Sequence, residues 1–187
     1  MFGDLTKLEN LTTFGAFITS ALVIELIMIG LFRLSKTRLA GVLINKWYDT
    51  YGLDALLLDT LSVVIGFILA AGLYGFIFSE FNVLYFLLVV LAVQITHDYM
   101  FYKYVITPIP KGHNKVIDTM KEYAEGVKAD AILGDSLMYL MAVPVASLLL
   151  SVANSSEAGP SFLLGVAIFV SYPLMYLLYT SPIKHSS

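Results

Sequence analysis

The chain has 187 residues, 58% of them hydrophobic and 13% charged, with a formal net charge of −3 and no cysteine. Soluble domains of this length are nearer half apolar and a quarter charged, and the excess here falls in runs long enough to cross a bilayer, which takes about 20 residues each. Composition therefore excludes a single soluble core, a basic surface for nucleic acid, disulfides, thiolate metal sites and cysteine nucleophiles.

A short polar segment with Asp4, Lys7 and Glu9 precedes the first apolar run, at about 12–32. That run lacks the basic start and small-residue cleavage site of a signal peptide, so it is expected to stay as a span. Arg33, Lys36 and Arg38 close it. Leu39, Val42, Leu43 and Lys46 then fit a short in-plane helix ended by Gly52. Its Trp47 and Tyr48, with Tyr51, suit the headgroup level. A second span is expected at about 53–78 and a third at about 83–106, joined by a tight turn from Glu80 to Asn82. Pro108 and Pro110 halt the third span, because proline cannot continue a helix.

Over 113–131 the pattern changes. Val116, Met120, Tyr123, Val127 and Ala131 recur at helical spacing, with lysines and acids on the other faces, as in an amphipathic helix that lies in the interface or packs on a partner. Gly134-Asp135-Ser136 reads as the opening of a fourth span at about 135–152, and a fifth follows at about 161–179. The expected fold class is all-α: a five-span transmembrane helical bundle forming one membrane domain, with one interfacial amphipathic helix between spans three and four.

Five spans put Arg33, Lys36, Arg38, Lys46, Lys103, Lys111, Lys115, Lys121, Lys128 and Lys184 on one side and only Lys7 on the other. The positive-inside rule then places the N-terminus outside or in a lumen and the C-terminus in the cytoplasm. Four or six spans would break this segregation.

Acids in apolar runs are expensive and suggest a functional site. At about 1.5 Å of rise per residue, Asp59 lies roughly 9 Å inside the cytoplasmic end of span two and Asp98 roughly 12 Å inside that of span three. Glu25 stands at a similar depth in span one, and Asp135 at the mouth of span four. Gln94 and His97 share the Asp98 region. Glu25, Asp59, Gln94, His97, Asp98 and Asp135 thus form the candidate polar cluster. Asp59, Ser62, Gly66 and Ala70 make a small-residue stripe that invites close helix approach. Tyr172, Tyr176 and Tyr179 share a face of span five from which hydroxyls could donate inward. Asp54 and Asp135 also read as helix caps. Asp98, near a helix C-terminus that disfavours an anion, needs a partner, expected on another helix.

Three roles fit the cluster. It can be polar glue between spans. It can be a proton or cation path, for which Asp, Glu and His are the usual material. With Asp59, His97 and Asp98 as ligands it would suit Mg²⁺, Mn²⁺ or Zn²⁺ in an enzyme acting on lipid headgroups. The expected role is a structural or interaction component of a membrane assembly, in a lipid bilayer, as a homo-oligomer or part of a larger complex. It calls for no cofactor and no nucleic-acid partner. The alternative is a proton or cation conductor.

The run Gln94-x-x-His97-Asp98-x-x-Phe101, followed by Pro110-Lys111-Gly112-x-Asn114-x-x-Ile117-Asp118-x-x-Lys121-x-Tyr123-Ala124 and Ala131-Ile132-x-Gly134-Asp135-Ser136, resembles uncharacterised multi-pass membrane proteins of large DNA viruses infecting algae and protists. The resemblance spans about 45–180. It implies a viral or virus-modified membrane and carries over neither an activity nor site residues.

Overall fold

A computed structural model of the chain describes residues 2–34, 42–127 and 129–181. Lys36, Arg38, Leu39, Lys128 and Lys184, named above, lie outside these residues. Among the described residues the chain is helical without strands: α1 (Leu11–Leu34), α2 (Val42–Tyr51), α3 (Leu53–Ile77), α4 (Val83–Phe101) continued by a π-helical turn (Tyr102–Ile106), α5 (Lys115–Val127), α6 (Ala129–Asn154) and α7 (Gly159–Leu178). Five segments are long and apolar enough to cross a membrane: α1, α3, α4 with its π turn, Ile132–Asn154 of α6, and α7. This is the helical bundle of a multi-pass membrane protein.

Local chemistry sets the boundaries. Gly52, at φ +50°, makes the corner between α2 and α3 in a backbone region that disfavours side chains. The Asn82 side chain caps α4 by accepting from the N–H groups of Leu84 and Tyr85 (2.9 and 3.3 Å), and Asn114 does the same for α5 through Val116 and Ile117. The α3–α4 hairpin is tied by the Tyr74 hydroxyl, which donates to the Glu80 carbonyl and accepts from the Asn82 N–H, both at 2.9 Å.

Two cap readings are corrected. The fourth transmembrane helix begins at Ala129, so Asp135 lies inside α6 and caps nothing. Gly52, not Asp54, holds the cap position of α3; Asp54 stands in the first turn, where its charge suits the helix dipole without a cap hydrogen bond.

In the bundle, α1 packs against α3, α6 and α7, and α4 bridges α3 and α6. At the basic end α2 and α5 lie together. The Tyr51 hydroxyl donates to the Lys115 carbonyl (2.7 Å), Lys46 pairs with Glu122 (2.8 Å), and Lys121 reaches back to the Thr107 and Ile109 carbonyls. At the other end, residues before α1 fold onto α6. The Gly3 N–H donates to the Ser147 carbonyl (2.9 Å), and the Ser147 hydroxyl donates to the Gly3 carbonyl (2.6 Å).

In the half of the bundle away from the basic end, Phe17, Phe67 and Phe86 are fully buried. Phe17 and Phe67 stack at 4.8 Å, Phe86 follows at 6.4 Å, and Tyr139 meets Phe67 edge-on at 5.8 Å. One aromatic layer thus joins α1, α3, α4 and α6. Gly66 makes room for it: a Cβ there would collide with the Tyr139 hydroxyl, which donates to the Ser62 carbonyl at 3.1 Å. The small-residue stripe on α3 therefore admits a side chain of α6.

Candidate functional site

Three polar nodes lie between the aromatic layer and the basic end. The first joins α1, α2 and α3. Glu25 is fully buried on α1. The Tyr48 hydroxyl stands 3.1 Å from Glu25 Oε2 and 2.9 Å from Asp59 Oδ2, and Trp47 Nε1 donates to that same Asp59 oxygen at 3.1 Å. Burial first, then the Asp59 charge, push the Tyr48 phenol well above its ordinary range, so it keeps its proton. That single hydrogen cannot serve two carboxylates. Asp59, which also takes the indole N–H, is the natural acceptor. The contact to Glu25 becomes a hydrogen bond when the Glu25 carboxyl itself donates to the Tyr48 oxygen. Glu25 Oε1, also buried, has no partner among the described residues.

The second node joins α4 and α6. Gln94 Nε2 donates to Asp98 Oδ2 at 2.6 Å, His97 Nδ1 lies 3.3 Å from Asp98 Oδ1, and the Ser136 hydroxyl donates to Gln94 Oε1 at 3.0 Å. This corrects the expectation of a partner for Asp98 on another helix. Its partners are Gln94, four residues back on the same face, and the adjacent imidazole, whose reach spans the angular offset. The cross-helix link runs through Gln94.

The third node was not foreseen. Arg33, 1% exposed, is read from the sequence as a charge that stops a span. Its guanidinium instead donates to Asn45 Oδ1 (3.0 Å) and the Leu178 carbonyl (3.1 Å), and pairs with Asp49 (2.7 Å), clamping α1, α2 and α7. Asn45 and Asp49, four apart on α2, were the available signal.

The acids do converge. Asp135 lies within electrostatic reach of Asp98 and Asp59, and Glu25 within reach of Asp59 and Asp135. Asp135 keeps an exposed side chain and makes no hydrogen bond among the described residues. The metal-ligand trio does not assemble, since His97 and Asp98 sit together on α4 while Asp59 faces Glu25 and α2. Among the described residues no three His, Asp or Glu side chains are placed to share an ion. The tyrosines of α7 are also corrected. Leu163, Val170, Leu174 and Leu178 form its buried stripe, which leaves Tyr172, Tyr176 and Tyr179 outward, each more than 60% exposed.

Beyond the aromatic layer the polar groups do not link up. On its far side the buried Ser147 hydroxyl donates only to the Gly3 carbonyl, and on the cluster side of Phe17 the buried Thr19 and Ser20 hydroxyls donate to the Leu163 and Phe17 carbonyls and join no node. No family model, no curated protein and no solved structure matches this chain.

Proposed function

We propose that this protein is a structural or interaction component of a membrane, and that its buried polar cluster holds the spans together. The observation that carries this reading is the wiring of the nodes. Glu25–Tyr48–Asp59 links three helices, Arg33 links three, and Gln94–Ser136 links two. Such pairing is the usual adhesive between helices where lipid removes the hydrophobic drive. The dry layer of Phe17, Phe67 and Phe86 then separates the cluster from the far end. By the positive-inside rule the basic end faces the cytoplasm. The resemblance noted above favours a viral or virus-modified membrane as its setting.

Proton and cation flux into liposomes containing the purified protein tests this reading. Wild type and Asp98→Asn should both leave flux at the level of empty vesicles. Flux through wild type that Asp98→Asn abolishes would overturn it in favour of a conductor. That second reading is supported by acids on four different spans, with Asp135 within reach of Asp98, Asp59 and Glu25, and Glu25 within reach of Asp59.

A further inference from the structure

An apolar groove of about 760 Å³ runs along the outside of α3 and α4. It extends from Ile77, at the end of α3 away from the basic end, past Ala92 and His97 to Tyr104 in the π turn. Along α4 its lining reaches from Leu88 to Val105, roughly 26 Å at 1.5 Å per residue. That is most of the ~30 Å hydrocarbon thickness. A lipid of one leaflet covers about half of it; a transmembrane helix covers all of it.

The span that lines this groove is poorly suited to face lipid. Its mean hydropathy, 1.6, is the lowest of the five spans, the others having 1.9 to 2.3, yet only 22% of it is buried inside the bundle. It also turns polar atoms outward. His97, with its side chain 41% exposed, stacks on Phe101 at 5.7 Å and borders the groove beside Thr96. His97 Nδ1 faces Asp98 Oδ1 at 3.3 Å, and with Nδ1 donating to that carboxylate, Nε2 is the acceptor. Among the described residues neither His97 Nε2 nor the Thr96 hydroxyl has a hydrogen-bond partner. Hydrocarbon offers none, so a lipid-covered surface would leave both groups unsatisfied.

We propose that the groove receives α4 of a second copy of this chain, in a two-fold dimer whose axis lies along the membrane normal. Two copies inserted in the same orientation bring identical residues to the same depth, as a self-complementary interface requires. The Thr96 hydroxyl of each copy then donates to His97 Nε2 of the other, so one contact, repeated by symmetry, satisfies all four groups. Ala92, small and within the groove, lets the two helices approach. A different transmembrane partner would have to supply a donor and an acceptor at this one depth, whereas a second copy already carries both. The dimer does not depend on whether the polar cluster conducts.

The chain has no cysteine, so single cysteines report cleanly. Ala92→Cys in native membranes should give a disulfide-linked dimer under mild oxidation, which requires Cα atoms within about 7 Å. Phe169→Cys, 79% exposed on α7, should not. Thr96→Val should weaken dimerisation of the full chain in detergent roughly five- to tenfold, as expected for two interhelical hydrogen bonds in a membrane, with unchanged Trp47 emission showing that the fold is intact. A monomer at every concentration, cross-linking through residue 169 in preference to 92, or dimers indifferent to Thr96→Val would overturn the proposal. So would a purified monomer with a lipid held along α4.

Discussion

Replacing Tyr48 by Phe removes one oxygen atom and leaves the ring in place. That oxygen contacts both Glu25 and Asp59, and Tyr48 is only 3% exposed, so water does not replace it. Hydrogen bonds to charged groups contribute about 1.5–3 kcal/mol, while interhelical ones in membranes average nearer 0.6 kcal/mol with a maximum of about 1.7. Two contacts on one hydroxyl, with Glu25 left wholly unpartnered, give an expected loss of about 2 kcal/mol by the same measures. Glu25→Gln should behave differently. Its amide can donate to the Tyr48 oxygen, keeping every bond of the node, and the loss should stay under about 0.5 kcal/mol. Denaturant titration of the purified protein in micelles would measure both. Trp47, the single tryptophan, reports directly because its indole is bonded to Asp59. Equal losses for the two variants, or a Tyr48→Phe protein as stable as wild type, would refute the donor count.

Other perturbations test the neighbouring joints. Gly66→Ala should destabilise by about 1–3 kcal/mol through overpacking, and the loss should shrink in a Tyr139→Leu background, a coupling that a double-mutant cycle reads. Arg33→Lys should lose about 2 kcal/mol, because an ammonium cannot reproduce the fork that reaches Asn45, Asp49 and the Leu178 carbonyl. This is below the roughly 3–5 kcal/mol of a fully buried pair, since the Asp49 side chain is 54% exposed. The hydrogen bond from Lys46, together with its charge, holds the Glu122 carboxyl below its ordinary value. That attraction is therefore present above the usual glutamate range and lost as pH falls through the lowered value. Raising salt at neutral pH should weaken it too, as exchange-rate increases in α5 amides would show.

Much of this architecture is legible in the sequence, because membrane spans announce themselves by length and composition. The five spans, the turn at Glu80–Asn82, the break at Gly52 and the convergence of acids on one end all follow from hydropathy, turn chemistry and helix rise. Direction around a helix is less legible. Tyr172, Tyr176 and Tyr179 share a face in either reading, and only the leucine-rich stripe of α7 seated on α1 decides that the face points outward. Trp47 and Tyr48 have the composition of interfacial anchors, and nothing local to α2 says that their polar atoms turn inward to Asp59 and Glu25. Arg33 likewise looks like a flanking charge until Asn45 and Asp49 are brought beneath it. The start of α6 was obscured because Gly134-Asp135-Ser136 is good cap chemistry, while the helix had already begun in the amphipathic segment before it.

On the proposed reading a dry aromatic layer closes the polar cluster off from one side of the membrane. Single cysteines at Asp135 and Ser20, probed with a charged, membrane-impermeant thiol reagent added to either side of sealed vesicles, test it most directly. Position 135 should react from one side only, and position 20, fully buried beside Phe17, from neither. Reaction at position 20 with reagent added to the side away from the basic end would mean that water crosses the layer, and the account of a sealed, adhesive cluster would fail.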